Sequence, residues 1–138
     1  MANWQWFGRL HTRAYRATRG ILGGKLAGLP MLLLTSPGRK SGELRTTPLP
    51  YLEDDGRWVV VCSNNGGPRD AMWWANLQKD PRAEIQVMRE RIPVTARLAS
   101  PEERTRLRPC LVAFNSAFAK YEKMTTRQIP VVILSRAG

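Results

Sequence analysis

The sequence is poor in cysteine and histidine, the side chains that most often bind zinc. Its 138 residues include two cysteines, Cys62 and Cys110, and a single histidine, His11. This inventory cannot supply a four-ligand zinc site, and two cysteines are too few for a disulfide framework. We therefore expect no metal site and two buried free thiols, one in a core strand and one in a helix.

Long apolar runs are also missing. The longest uncharged apolar stretch, Leu26 to Leu34, is far shorter than the roughly 18 residues that a bilayer-crossing helix needs. The N-terminus has no signal-peptide pattern, because arginines interrupt every candidate apolar core. These absences predict a cytoplasmic protein without a membrane-spanning segment.

Acidic residues are half as numerous as basic ones. There are 22 Lys and Arg against 11 Asp and Glu, a formal net charge of +11, and the excess lies at the two ends of the chain. Such a field favours an anionic partner: a nucleic acid, an anionic lipid, or a phosphorylated or polycarboxylate small molecule. Composition alone does not choose among these three.

The first 24 residues read as an amphipathic helix before a single folded domain that extends to residue 138. Over residues 4–19, Trp4, Phe7 and His11 fall on one side and four arginines fall on the other. That apolar face could pack on the domain or lie peripherally on an anionic membrane. Both interpretations stay open, and His11 is expected to be a packed side chain rather than a catalytic base.

The remaining pattern predicts an α+β fold: a small, mostly antiparallel barrel with inserted helices. Strands are expected near residues 31–35, 46–52, 57–63, 82–88, 91–98 and 129–135. Asp70 is expected to cap a helix over residues 71–79, and a capping box of Ser100 and Glu103 opens a helical pattern that reaches Met124. We expect that pattern to kink or break at Pro109.

One loop carries phosphate-binding chemistry. Residues 38–45 read Gly-Arg-Lys-Ser-Gly-Glu-Leu-Arg, so two glycines that permit tight turns enclose fixed positive charges and a hydroxyl. The spacing is neither that of a Walker loop nor that of a dinucleotide fingerprint. A solvated basic turn is the alternative.

Several motifs resemble the deazaflavin-dependent nitroreductase family. They are Leu34 to Gly42 with Arg45 to Leu49, then Ser63 to Pro68, Met72 to Leu77 and Arg127 to Val132. The resemblance covers residues 28–135. It implies a split β-barrel similar to the barrels that bind flavin mononucleotide. It also implies that this barrel binds coenzyme F420, an 8-hydroxy-5-deazaflavin with a phosphodiester and a glutamate tail. That anionic tail suits the net charge.

The resemblance also implies which residues contact the coenzyme. The turn residues and Arg45 would hold the phosphate, the next strand would run beside the coenzyme, Ser63 and Asn64 would approach the ring, and the tryptophan helix would wall the site. The full set is Arg39, Lys40, Ser41, Arg45, Thr46, Thr47, Pro48, Leu49, Pro50, Val61, Cys62, Ser63, Asn64, Met72, Trp73, Trp74, Ala75 and Asn76.

The implied reaction is hydride transfer from the reduced coenzyme to a quinone, an activated alkene or a nitro compound. Ser63 and Tyr121 are the catalytic candidates, with the Tyr121 hydroxyl as a proton donor. Phe114, Asn115, Phe118 and Tyr121 form the expected substrate pocket, although the aromatic residues among them could equally belong to the core. Family members that reduce nitroimidazoles are rich in tyrosine in the segment before the last strand. This chain has only Tyr121 among its four pocket residues, so we do not infer nitroreductase activity from the resemblance.

Two other functions compete. One is a barrel that binds nucleic acid, which would need basic residues on its strand faces. In this sequence the central strand, Val59 to Val61, has no basic residue, so we expect no nucleic-acid partner. The other is a split barrel that binds flavin mononucleotide, which has a shorter phosphate tail.

Overall fold

The computed structural model describes residues 25–26 and 29–137, which form an α+β fold. The strands are β1 (Lys25–Leu26), β2 (Leu29–Pro37), β3 (Leu44–Pro50), β4 (Leu52–Asp54), β5 (Arg57–Val61), β6 (Arg82–Val87), β7 (Glu90–Leu98) and β8 (Val131–Arg136). Helices α1 (Met72–Lys79), α2 (Pro101–Phe114) and α3 (Ala117–Met124), with a 3₁₀ turn at Asn64–Gly66, complete this part of the chain.

Strands β2 to β8 form one antiparallel sheet, and its two edge strands follow each other directly in the sequence. The strand order is β3-β2-β6-β7-β8-β5-β4, so β3 and β4 stand at opposite edges. Only Tyr51 separates these two strands in sequence, and its N–H donates to the Pro30 carbonyl at 3.2 Å. The sheet must therefore roll until its edges meet, which is consistent with the split barrel predicted from the sequence.

Strand β8 shows how the core is divided. Val132 and Leu134 belong to the cluster inside the rolled sheet, whereas Val131 and Ile133 belong to a second cluster beneath α2 and α3. Successive side chains of a strand point to opposite faces, so an apolar run without alternation is buried on both. Helices α2 and α3 therefore cover the outer face of the sheet at β8.

The capping box is confirmed, whereas a break at Pro109 is wrong because the helix continues past it; a kink at Pro109 stays a prediction. Ser100 Oγ accepts from the Glu103 N–H at 3.2 Å, and Glu103 Oε1 accepts from the Ser100 N–H at 2.9 Å. Helix α2 continues through Pro109 and ends at Phe114. The next residue, Asn115, has an extended backbone, and its Oδ1 accepts from the Ala117 N–H at 3.1 Å. A proline removes one hydrogen bond from a helix, whereas the extended Asn115 ends it.

Two smaller predictions also need correction. Asp70 does not cap α1: Ala71 is the residue before the helix, and the Asp70 carboxylate instead accepts from Arg127 Nη1 at 2.6 Å. Cys62 is buried as expected, but Cys110 is exposed, because α2 buries only Leu107 and Leu111. Both cysteines are free.

The predicted N-terminal helix over residues 4–19, with Trp4, Phe7 and His11, lies outside the described residues. Within residues 25–26 and 29–137, no helix has both the length and the apolar character needed to cross a bilayer.

An ion-pair cluster joins the start of α2 to the sheet and predicts loss of stability in acid. The Arg97 guanidinium, donating to Glu103 at 2.7 and 2.8 Å, is the main reason that the pKa of Glu103 lies well below its usual value near 4.5. A carboxylate whose pKa is lowered by folding stabilises the protein above its unfolded pKa, and this contribution is lost as the pH falls toward the folded value.

We therefore expect Tm to fall between about pH 5 and pH 3, and to fall less steeply in Glu103→Gln. Glu102→Gln, which changes an exposed neighbouring carboxylate, is the matched control and should keep the wild-type slope. Thermal melts across this pH range would show the difference. Identical slopes for Glu103→Gln and wild type would contradict the role given to Glu103.

Candidate functional site

The basic loop forms a tight turn between β2 and β3. The Gly38 N–H donates to the Glu43 carbonyl at 2.7 Å, and the Gly42 N–H donates to the Gly38 carbonyl at 2.9 Å. Gly42 has φ of +76°, a conformation that side chains disfavour. The two glycines thus close a turn, the Gly38–Gly42 turn, that presents Arg39, Lys40 and Ser41 at its tip.

Helix α1 fixes this turn from one side. Asn76, which is buried, accepts from the Arg39 N–H through Oδ1 at 3.0 Å, and Lys79 Nζ donates to the Arg39 carbonyl at 2.6 Å. Both backbone polar groups of Arg39 are therefore bound by helix side chains three residues apart, which share a helix face. Lys79 is not among the residues predicted from the sequence, although this spacing from Asn76 was a usable signal.

A cleft of about 420 Å³, called here the first cleft, lies between the turn, the start of β3 and α1. It is lined by Ser36, Gly38, Arg39, Lys40, Ser41, Arg45, Thr46, Thr47, Met72, Trp73 and Asn76. Nine of these are predicted coenzyme contacts, brought together from three separate segments. Among the residues that the structure describes, three cations and no carboxylate line the cleft, while Met72 and Trp73 give it an apolar wall.

The hydrogen-bond donors of Lys40 and Arg45 in the first cleft are available to a ligand. The Lys40 ammonium pairs with none of the residues that the structure describes, and Arg45 meets Glu43 at 3.5 Å with both side chains largely exposed. Such surface pairs contribute little and are easily exchanged for another anion. Cationic side chains on a tight turn beside an apolar wall fit a phosphodiester that joins a flat aromatic ring to a polar tail.

Other predicted coenzyme contacts lie beside this cleft or away from it. Pro48, Leu49 and Pro50 continue β3 along β2, and Leu49 is buried in the inner core. Ala75 is half-buried on α1, whereas Trp74 is buried and lines a separate cleft with Gln78. The structure therefore places Met72, Trp73 and Asn76 on one side of α1 and Trp74 on another.

The segment after β5 holds a second group of predicted residues. Val61 ends the strand, and Cys62 is fully buried, with its Sγ accepting from the Ala71 N–H at 3.2 Å. Burial raises the pKa of the Cys62 thiol to about 11, so it is uncharged at neutral pH and is a structural rather than a nucleophilic group. Asn64 is exposed with φ of +47°, and its Nδ2 donates to the Arg69 carbonyl at 2.9 Å.

Arg127, from a distant part of the chain, binds the segment of residues 62–67, called here the clamped segment. Its guanidinium donates to the carbonyls of Cys62, Ser63 and Gly67 at 3.2, 2.7 and 3.1 Å, and it also pairs with Asp70. The Arg127 side chain is only 15% exposed. No role for Arg127 is predicted from the sequence, because a lone arginine before the last strand gives no local signal of these four acceptors.

The predicted substrate-pocket residues lie on α2, α3 and the link between them. Phe118 is buried in the second core cluster, Tyr121 is half-buried against that cluster, and Phe114 is half-buried at the end of α2, next to Asn115. None of the four lines the first cleft. Helix α3 does border the clamped segment, because a side chain added at Gly66 would meet Met124 Cβ at 2.9 Å.

Comparisons with known proteins identify the family of this chain. A family model described as F420H(2)-dependent quinone reductase matches residues 6–136. An F420H(2)-dependent quinone reductase of Mycobacterium tuberculosis is 39% identical over 132 residues, which covers 93% of this chain and 89% of that protein.

Two solved structures share the fold at a TM-score of 0.71. One is an F420-H2-dependent reductase, FDR-A, with 34% identity, covering 77% of this chain and 94% of that chain. The other, described as a domain-swapped dimer, has 29% identity and covers 92% of this chain and 99% of that chain.

These matches confirm the resemblance to a deazaflavin-dependent family. Of the three predicted acceptors, namely quinones, activated alkenes and nitro compounds, the family's name specifies quinones. The chain belongs to the F420H(2)-dependent quinone reductase family.

Proposed function

We propose that this protein is an oxidoreductase that binds F420 in the first cleft and transfers a hydride from the reduced coenzyme to a quinone. The family is F420H(2)-dependent, so the cofactor is F420 rather than flavin mononucleotide. The observation that carries the proposal is the convergence of Arg39, Lys40 and Arg45 on a cleft with an apolar wall and no carboxylate.

The chain's own residues would bind and orient the coenzyme. Lys40 and Arg45 would donate charge-assisted hydrogen bonds to phosphate oxygens, with Arg45 exchanging its exposed pair with Glu43, and Ser41 adds a hydroxyl. Asn76 and Lys79 fix the turn, which reduces the ordering cost of binding. When bound, F420 supplies a two-electron hydride carrier.

Met72 and Trp73 would exclude water from one side of the ring. Trp73 is buried and Met72 is 60% exposed at the mouth of the cleft, where its sulfur lies 3.7 Å from Arg39 Nη1. Excluding water strengthens electrostatic contacts in the cleft and protects the hydride from side reactions. The Ser63–Gly67 segment, clamped by Arg127, would present polar groups near the ring.

Reducing a quinone with a hydride also requires a proton for the second oxygen. We assign this proton to the Ser63 or Tyr121 hydroxyl. Ser63 lies on the clamped segment and Tyr121 on α3, and these two elements meet where Met124 packs on Gly66. A positioned acid typically contributes about a hundredfold or more to the rate.

The test is an anaerobic assay of F420H(2) oxidation by a short-chain naphthoquinone, combined with fluorescence titrations of F420 and flavin mononucleotide. We expect turnover and binding of F420 in preference to the flavin. If Tyr121 gives the proton, Tyr121→Phe should lower kcat roughly a hundredfold without changing the Kd for F420. If Ser63 gives it, Ser63→Ala should lower kcat by a similar factor and also raise the Kd, because Ser63 is a predicted coenzyme contact. Preferential binding of flavin mononucleotide, with no F420-dependent turnover, would overturn the proposal.

Three finer expectations remain predictions. Reduction of nitro compounds and of activated alkenes can be measured in the same assay by changing the acceptor. Contact of residues 4–19 with anionic membrane can be measured by co-sedimentation with liposomes, and replacing the four arginines of that segment by glutamine should abolish it. A cytoplasmic location also remains a prediction.

A further inference from the structure

The separate cleft beside Trp74 has no part in the proposed function. This cleft, called here the Trp74 cleft, has a volume of about 500 Å³ and is formed by α1, the junction of β7 with α2, and the segment before β8. Its lining residues are Trp74, Gln78, Leu98, Ala99, Pro101, Arg104, Thr105, Gln128 and Pro130. None of them lines the first cleft, so binding of the coenzyme there does not account for the Trp74 cleft.

Apolar side chains form much of the Trp74 cleft. Trp74 belongs to the inner core and is 8% exposed, whereas Leu98, at the end of β7, is 54% exposed. Pro101 and Pro130 add apolar surface from two other segments. An apolar group bound among these side chains would remove their remaining exposed surface from water, which favours binding.

Arg104 is the one ionisable side chain that lines this cleft in the part of the chain that the structure describes. It is 20% exposed, and its Nη1 donates to the Ile129 carbonyl, which is uncharged. A guanidinium has five N–H donors, so this carbonyl leaves most of them for other partners. Burial is the main reason that the pKa of Arg104 lies below its usual value, but an arginine stays charged at neutral pH.

The charge of Arg104 is only partly compensated. Glu122 lies 4.0 Å from Arg104 Nη2, but the same carboxylate binds Arg108 at 2.7 and 3.3 Å. A partly buried cation without a close counter-ion is costly, and an anion that enters the cleft lowers that cost. The Trp74 cleft therefore combines an apolar wall with one positive charge that lacks a close anion of its own.

We propose that the Trp74 cleft binds a small amphipathic anion, namely a carboxylate carried by a flat apolar group. The carboxylate binds Arg104, and the apolar group packs on Trp74 and Leu98. Gln78 and Gln128 are exposed and make no hydrogen bond through their side chains to another described residue, so their amides supply further donors. This site is separate from those of the coenzyme and the acceptor, and the inference does not rest on the proposed function.

The probe for this site is 2-naphthoate, and its neutral counterpart is 2-naphthamide, which has the same ring system. Calorimetric titration of the full chain at low salt should show that naphthoate binds about tenfold more tightly than naphthamide. Arg104→Gln should raise the Kd of naphthoate about tenfold and leave that of naphthamide nearly unchanged. Arg106→Gln removes a 54% exposed arginine of the same helix that does not line the cleft, so this matched control should change neither Kd.

A second pair of variants keeps the bond from Arg104 to the Ile129 carbonyl. Gln78 is exposed on α1, so Gln78→Glu and Gln78→Lys change the charge of the cleft without removing a buried group. Gln78→Glu should raise the Kd of naphthoate about threefold, and Gln78→Lys should lower it by a similar factor. Both effects should shrink as salt is added.

Lys40→Ala distinguishes the Trp74 cleft from the first cleft, which also has cations beside an apolar wall. The Kd of naphthoate should be unchanged in this variant. Weaker binding in Lys40→Ala, with no change in Arg104→Gln, would place the probe in the first cleft and overturn the inference. Equal Kd values for naphthoate and naphthamide, or no binding of either, would also overturn it. These results leave the proposed function untouched, because that function is tested by the binding and turnover of F420.

Discussion

Replacing Lys40 and Arg45 together by alanine is expected to weaken F420 binding by about 3 kcal/mol, or on the order of a hundredfold in Kd. A charge-assisted hydrogen bond to an anion contributes roughly 1.5–3 kcal/mol. Because both side chains are exposed, their combined contribution to F420 binding is expected near the lower end of the summed range. The Lys40 ammonium has no partner among the described residues, and the Arg45 pair with Glu43 is exposed, so the substitutions cost the fold little. Fluorescence titration of the coenzyme measures the change directly.

Arg89→Ala provides the matched control for Lys40→Ala. Each substitution removes one exposed cation from a turn between two strands, and each lowers the net charge by one. If the turn binds the phosphodiester locally, Lys40→Ala should weaken binding and Arg89→Ala should not. Equal weakening by the two variants would show that F420 responds to the general field of the protein, and would remove the role assigned to the Gly38–Gly42 turn.

Arg127→Ala is expected to lower the free energy of unfolding by about 3 kcal/mol, or Tm by roughly 10 °C. The substitution leaves the carbonyls of Cys62, Ser63 and Gly67 without their shared donor and leaves Asp70 without its cation. Because the side chain is mostly buried, water replaces these bonds only in part. Thermal and urea unfolding measure the loss.

The matched control is Arg108→Ala, which removes an arginine that is 52% exposed and pairs with Glu122. Exposed pairs of this kind contribute roughly 0–1 kcal/mol, so Tm should change little. Arg127→Lys keeps the charge but loses the planar fork, and its stability should lie between those of wild type and Arg127→Ala. A change below about 0.5 kcal/mol in Arg127→Ala would contradict the clamp.

Local patterns in the sequence predicted the features that depend on neighbouring residues. The capping box depends on two residues three apart, and the Gly38–Gly42 turn depends on glycines at its ends, so both could be inferred without tertiary structure. The antiparallel sheet followed in the same way from alternating or continuous apolar runs separated by turn residues. The resemblance to a family added the coenzyme, which no local pattern specifies.

Features that depend on distant residues were missed. Arg127 lies more than fifty residues from the carbonyls that it binds. The local sequence predicts Asp70 as a helix cap because it does not reveal the distant ion-pair partner of that carboxylate. The fixing of Arg39 by Asn76 and Lys79 likewise joins a turn to a helix across some forty residues. Burial of Phe118 against the outer face of the sheet depends on where α3 packs, which a spacing between aromatic residues does not determine.

A crystal structure of the protein with bound F420 would show directly whether the Gly38–Gly42 turn binds the phosphodiester. We expect phosphodiester oxygens within hydrogen-bonding distance of Lys40 and Arg45, with the deazaflavin ring beside Trp73. A bound coenzyme whose phosphodiester lies away from the Gly38–Gly42 turn, with that turn facing bulk solvent, would contradict this expectation.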